Sequence, residues 1–243
     1  DAEPSFGASI NITYDGSATT TGFELPAGSS VSSDVTVNNG TGVTLGGNRT
    51  INDLTMTSGD FNIGANTLTL DGTISETGGS LIGGATSWLI MEENTNDINL
   101  PASVSQLQNL TINRSGGVNM SGDLVVEQVL RLEAGSFTIG AHTLTIKQPI
   151  QETPANLQAG GNSSITIAGT ASGIVIPSVV SELNNLTQNN PNGTTLQANL
   201  LLTSLNLEDG NIDLNTWSLT TGSIIGDDPS DTEFSDSYLI VDD

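Results

Sequence analysis

Cysteine is absent from all 243 residues, so no disulfide and no thiolate-bound metal holds this chain together. Small secreted domains usually depend on disulfides, but a long solenoid with a continuous core does not. The lack of cysteine therefore does not exclude export. Aromatic residues are only 4% of the chain, which leaves packing to Leu, Ile and Val. Positive charge is scarcer still. Four Lys and Arg stand against 27 Asp and Glu, a net charge of −23. Such a surface repels phosphate backbones and anionic lipid, which excludes nucleic-acid binding. No run approaches the ~20 apolar residues of a membrane span, which argues against membrane insertion. The chain begins at Asp1 rather than Met, as expected of a processed or excised segment.

What the sequence does contain is repetition. Asp60-Phe-Asn-Ile-Gly-Ala-Asn-Thr-Leu-Thr-Leu70 returns as Ser136-Phe-Thr-Ile-Gly-Ala-His-Thr-Leu-Thr-Ile146. A worn third copy follows as Asn211-Ile-Asp-Leu-Asn-Thr-Trp-Ser-Leu-Thr-Thr221. The offset from Phe61 to Phe137 and that from Phe137 to Ile212 agree to within one position. A long recurrence with its apolar positions held in place marks a repeat protein. Leu25-Pro26, Leu100-Pro101 and Ile176-Pro177 open the three copies, giving supra-repeats of about 25–99, 100–175 and 176–243, the last incomplete. Residues 1–24 lie outside the clear repeat, as an N-terminal cap or a degenerate coil. There Ser9–Tyr14 alternates like a strand, and Phe23-Glu-Leu25 reads as the start of another.

Within each copy the local unit is apolar-x-apolar, as in Val35-Thr-Val37, Leu110-Thr-Ile112 and Leu54-Thr-Met56. This is period-2 alternation, with Gly, Asn and Ser clusters between units and no window for an amphipathic helix. An antiparallel sandwich would give such strands but not so long and regular a period. A parallel β-helix gives both, with inward residues stacked coil on coil and Gly or Asn at the corners. Its expected hand is right. The outward Thr of each unit adds β-propensity on the wet face. Spacings of roughly 20 residues, such as Leu110 to Leu130 and Leu144 to Ile165 to Leu186, set the expected coil. They predict about four coils per supra-repeat and a rod of about 50–60 Å. The interval from Leu130 to Leu144 is too short for that scheme. Ser237-Tyr-Leu-Ile-Val241 reads as the third counterpart of Leu89-Ile-Met91 and Ile165-Thr-Ile167, and the whole as a piece of something longer.

The ordered set Leu107-x-Asn-Leu-Thr-Ile-Asn-Arg114, Gly-Ala-x-Thr-Leu-Thr-[Leu/Ile] and Gly-Gly-x-Ser-x-[Leu/Ile] resembles repeats of large secreted proteins of Bacteroidetes-type bacteria. Those proteins are cell-surface adhesins or autotransporter-like repeat proteins, and the resemblance covers about residues 25–243. It implies a surface or extracellular solenoid used as adhesin, stalk or filament component, and it transfers no catalytic residues. The expected partners are a cell-surface glycan or protein, or copies of the chain itself end to end.

Other chemistry is thinner. Polysaccharide-binding or polysaccharide-degrading β-helices are the first alternative. A degrading site needs clustered carboxylates with a cation or histidine beside them. Arg49, Arg114, Arg131 and Lys147 are the only cations, and they are scattered. The lone His142 replaces Asn66 and is itself replaced by Trp217, as at a solvent-facing position. Asp227, Asp228, Asp231, Glu233 and Asp236 crowd a Gly/Pro/Ser segment, where calcium is the cation their oxygens would share. No EF-hand spacing supports it, and a solvated loop is the plainer account. Glu92-Glu93 with Asp97 is a thinner group of the same kind. Thr55/Thr57, Thr67/Thr69 and Thr143/Thr145 suggest an ice-binding solenoid as a second alternative, but these pairs align only once per supra-repeat. Trp88 and Trp217 could stack on sugars or simply pack.

Overall fold

The computed structural model describes residues 5–28, 30–92, 95–152, 156–226 and 239–240. These residues form a parallel β-solenoid with no helix among them and about ten stacked coils. At ~4.8 Å per coil the rod is about 50 Å long. Each coil contributes three short strands separated by corners. Strand Ser32–Asn38 is followed by Val43–Thr44 and Arg49–Ile51, after which Leu54–Ser58 lies on Ser32–Asn38 and starts the next coil. Every pairing between strands is parallel and lies one coil along. Paired residues are roughly 20 residues apart in the chain. Val43 and Phe61 are a little closer than that, and Ser9 and Ser32 a little further apart.

The alternation in the sequence is the alternation of the walls. Leu68, Leu89, Leu110 and Leu130 stack in one inward column, and Leu70, Met91, Ile112 and Leu132 in the next; none is more than 2% exposed. The residues between them, Thr69, Ile90 and Thr111, face outward at intermediate exposure. Phe61 fills the core between Val43 and Leu81, and Phe137 between Val118 and Leu157. Each such side chain, fully buried, contributes about 1.5–3 kcal/mol. Stacking identical or similar side chains gives every coil the same cross-section, so the column can continue without voids.

The short interval from Leu130 to Leu144 has a simple cause. The two residues belong to different columns. Leu130 ends the series Leu68–Leu89–Leu110–Leu130, whereas Leu144 lies in the series Leu124–Leu144–Ile165–Leu186–Leu205. The long strand Leu124–Ala134 turns from one wall to the next: Leu124–Val126 carries Leu144–Ile146, and Arg131–Leu132 carries Gln151–Glu152. The offset between copies is therefore about one wall short of four coils, and not four whole coils. Val35 pairs with Leu54 on a four-stranded wall, but their equivalents Leu110 and Leu130 stack above Leu89 on another. Successive copies are rotated about the rod by one wall.

Two local expectations are corrected. Phe23–Leu25 is a turn, not a strand: Glu24 Oε1 accepts from the Gly22 N–H at 2.7 Å and from the Tyr14 hydroxyl at 2.9 Å. That closes the backbone on itself and leaves no row of free amides for pairing. Ser9–Tyr14, by contrast, is a full strand on Ser32–Val37. At the other end Leu239–Ile240 stacks on Ile212–Asp213, the place that Leu81 and Leu157 hold above Phe61 and Phe137, not that of Leu89 and Ile165. The third copy takes a longer path from Ile212 to Leu239 than the first takes from Phe61 to Leu81.

One corner recurs in all three copies. Asn39 and Asn190 are buried, each donating from Nδ2 to a carbonyl one coil down (Ser17, 2.6 Å; Ala171, 2.7 Å). Each also accepts on Oδ1 from an N–H two residues ahead. Arg114 holds the same place in the second copy. The residue is 1% exposed, and its guanidinium donates to the carbonyls of Gly72 and Asn96. Burial depresses its pKa, against the pull of Asp97. Above these corners sit Gly59, Gly135 and Gly210, all at positive φ.

Candidate functional site: the outer walls

Outward residues of a β-solenoid form ranks parallel to the rod axis, so chemistry distant in sequence becomes adjacent in space. On one wall a rank runs Thr67, Trp88, Asn109, Val129, beside a second of Thr69, Ile90, Thr111, Arg131, Gln151. Trp88 is 45% exposed although it lies within a strand. Its indole N–H donates to Gln108 Oε1 at 2.5 Å, one coil on, which fixes the ring without covering it. A groove of about 340 Å³ opens here, lined by Trp88, Ile90, Thr111, Gln128, Val129 and Arg131 among others. The pairing register slips between Leu107 and Asn109, beneath this groove. A bulge of this kind bends the strand and re-aims the side chains beside it. Asn109 is drawn in, its Oδ1 accepting from the Val129 N–H. Arg131 reaches Glu133 at 3.4 Å and Gln151 at 3.0 Å.

In the sequence Trp88 stands as an isolated aromatic, because its groove partners lie one and two coils away. A signal is nevertheless present. Trp88-Leu-Ile-Met91 is an unbroken apolar run where neighbouring strands alternate with Thr, so two apolar side chains have to face outward. Trp217, 41% exposed, lies in the turn before Leu219–Ile225, where its N–H donates to the Leu214 carbonyl. The two tryptophans do not share a groove.

The four cations are held at four separate places. Arg49 donates to the carbonyls of Gly22 and Asn48, and Arg114 is buried at its corner. Arg131 joins Glu133, and Lys147 bonds Glu127 at 2.8 Å. The Lys147 hydrogen bond, helped by one from Gln106, holds the Glu127 carboxyl below the usual glutamate range against the opposing effect of burial. His142, at intermediate exposure, lies between Gly140 and the Ser164 N–H that bonds its carbonyl, and none of the four cations is bonded to it. Asp227, Asp228, Asp231, Glu233 and Asp236 lie outside the described residues, as does Glu93. Among the described residues no three His, Asp or Glu side chains are grouped to hold a metal.

The threonine pairs differ from expectation. Thr143 and Thr145 do have partners on successive coils: Ser164/Thr166, then Asn185/Thr187, then Ser204/Asn206. Alignment by supra-repeat hides them, because the copy that aligns with Thr143/Thr145 sits on another wall. The later part of the ladder makes hydrogen bonds internally, however. Asn185 donates to Thr187 Oγ1 at 2.9 Å and accepts from Ser204 Oγ at 2.9 Å, and Thr187 is only 9% exposed. Asn185 and Asn206 also interrupt the row of hydroxyls that an ice-binding face would need.

Compared with known proteins, the chain matches no family model, no curated protein and no solved structure.

Proposed function

We propose that this chain is a non-enzymatic β-solenoid rod, secreted to a bacterial surface and used there for adhesion or as a structural stalk, in the manner of the adhesins its repeats resemble. One observation carries the reading. The positions that recur between copies are inward or at corners (Phe61 and Phe137, Leu68 and Leu144, Gly59, Gly135 and Gly210) or are small or β-forming residues of the wall (Ala65 and Ala141, Thr67 and Thr143, Thr69 and Thr145), while no reactive side chain recurs and Asn66 gives way to His142. Recurrence of that kind maintains a shape. An enzyme must also hold several reactive groups within hydrogen-bond reach of one substrate. Here each cation is committed to its own neighbours.

The reading is tested in two arms. Beads coated with the folded protein are expected to adhere to bacterial or animal cells above beads coated with heat-denatured protein. Incubation with neutral and acidic polysaccharides is expected to release no reducing ends. Release of reducing ends refutes the non-enzymatic part, and equal retention of both bead types refutes the adhesive part.

A further inference from the structure

Building on the adhesive reading above, we infer that the groove at Trp88 is a binding site for a neutral, pyranose-based glycan. A pyranose ring has an apolar C–H face and a rim of hydroxyl groups. The groove has the matching halves. Trp88, Ile90 and Val129 supply a broad apolar floor from two ranks of the wall, and Thr111, Gln128 and Arg131 supply donors and acceptors at its edge. A shallow apolar surface with a few convergent polar groups is the usual form of a small-molecule site.

The indole is held in place before any ligand arrives, by its bond to Gln108. Binding therefore loses little conformational entropy at the largest contact. The Arg131 guanidinium carries five N–H groups, and two of its nitrogens are anchored by Glu133 and Gln151. It is positioned by those anchors and still 40% exposed.

Charge selects the class of sugar. Arg131 is already compensated by Glu133, and the whole chain carries −23. A carboxylated or sulfated glycan would meet repulsion within the ~8 Å screening length of physiological salt and find no uncompensated cation to offset it. A neutral glycan meets neither problem. Exposure alone would not single out this site, since Trp217 is similarly exposed. The difference is that Trp217 sits in a turn, and its indole forms no part of the groove around Trp88.

The test uses the full chain and isothermal titration calorimetry, which reads binding without Trp88 as the reporter. The chain is titrated with neutral hexaoses of glucose, mannose, xylose and N-acetylglucosamine, and with an acidic hexaose of galacturonate. Expected is saturable binding of at least one neutral hexaose, with a dissociation constant on the order of 0.1–1 mM. Trp88→Ala is expected to weaken it by about tenfold or more, while Trp217→Ala leaves it unchanged. Arg131→Leu, which removes the edge donors, is expected to weaken it by about threefold to tenfold. Absence of binding to every neutral hexaose at about 10 mM overturns the inference. So does binding that survives Trp88→Ala, or a preference for the acidic sugar. The bead assay separates the two proposals: adhesion that persists with Trp88→Ala, and on cells stripped of glycans, leaves the adhesive reading standing and points to a protein partner.

Discussion

Replacing Gly210 by Ala isolates the demand that coil stacking places on the corners. Gly210 has φ of +76°, and a methyl group added there would lie 1.8 Å from the Asn190 carbonyl oxygen. Gly140 provides the control, with φ of +66° but no atom nearer than His142 Cδ2 at 3.8 Å. Both substitutions place an L side chain in the left-handed region, at about 1–2 kcal/mol. Only Gly210→Ala also forces movement. Contacts under 3.0 Å are not tolerated, so the oxygen and the methyl must move apart by more than an ångström. The oxygen that must move accepts a buried hydrogen bond from Gln188 Nε2 at 2.8 Å, and the Asn190 N–H of the same corner donates to the Asp209 carbonyl at 3.1 Å, so such a movement strains both. Loss of one buried hydrogen bond there adds about 1–3 kcal/mol. Gly210→Ala is therefore expected to cost about 2–5 kcal/mol and Gly140→Ala about 1–2 kcal/mol. Solenoids can unfold by segments, so the proper assay is hydrogen exchange of amides 188–209 beside a urea melt. If the two variants lose stability equally, to within about 0.5 kcal/mol, the clash between coils is not what keeps glycine at this corner.

Phe137→Ala removes the aromatic between Val118 and Leu157 and is expected to cost about 3–5 kcal/mol by urea denaturation; a loss below about 1 kcal/mol would mean the column re-collapses around the gap. Lys147→Met tests the Glu127 pair. Because the folded carboxyl titrates below its ordinary 4.5, the pair's stability is present above that pH and lost as pH falls through the lower folded value. The gap between wild type and variant, about 0.5–1 kcal/mol at pH 7, is expected to close below about pH 4, and a gap independent of pH contradicts the assignment. If the segment from Asp227 to Asp236 binds calcium, EDTA lowers the melting temperature; an unchanged Tm removes calcium from the account. No thermal hysteresis is expected in freezing solutions, given that Asn185 and Asn206 interrupt the Ser/Thr ladder, and a measurable gap between melting and freezing would revive ice binding.

How far the sequence can be read depends on whether a feature is local. The strand unit Leu-Thr-Ile needs only three residues, and its alternation reports directly which side chains enter the core. Turn glycines are local in the same sense. The stacking register is not. Whether Leu144 lies above Leu130 or beside it depends on how many residues each corner uses, and Leu124–Ala134 crosses a corner without any Gly or Pro to mark it. The Trp88 groove is hidden for the same reason, since Val129 and Arg131 become neighbours only once the coil length is known. Arg114 misleads in a different way. Nothing in Leu-Thr-Ile-Asn before it marks the cation as buried, yet it fills the corner that Asn39 and Asn190 fill elsewhere.

The rotation of successive copies by one wall bears on how such a rod can recognise anything. If the repeat were a whole number of coils, equivalent outward residues would line up along one wall, and a single favourable side chain would be multiplied into a periodic surface. One wall short of four coils, the same residue faces a new direction in each copy. Asn66, His142 and Trp217 are thus presented around the rod and not along it. Asn66 ties its corner to the Leu45 carbonyl one coil down, a bond specific to the first copy. Recognition on this scaffold has to arise at single places, where residues of different copies meet on one wall. The groove at Trp88 is such a place. Trp88 and Ile90 belong to the first copy and Thr111, Gln128, Val129 and Arg131 to the second, joined by the pairing of Trp88–Glu92 with Asn109–Asn113. A partner bound there would hold the seam between two repeats, and pulling the seam apart would release it.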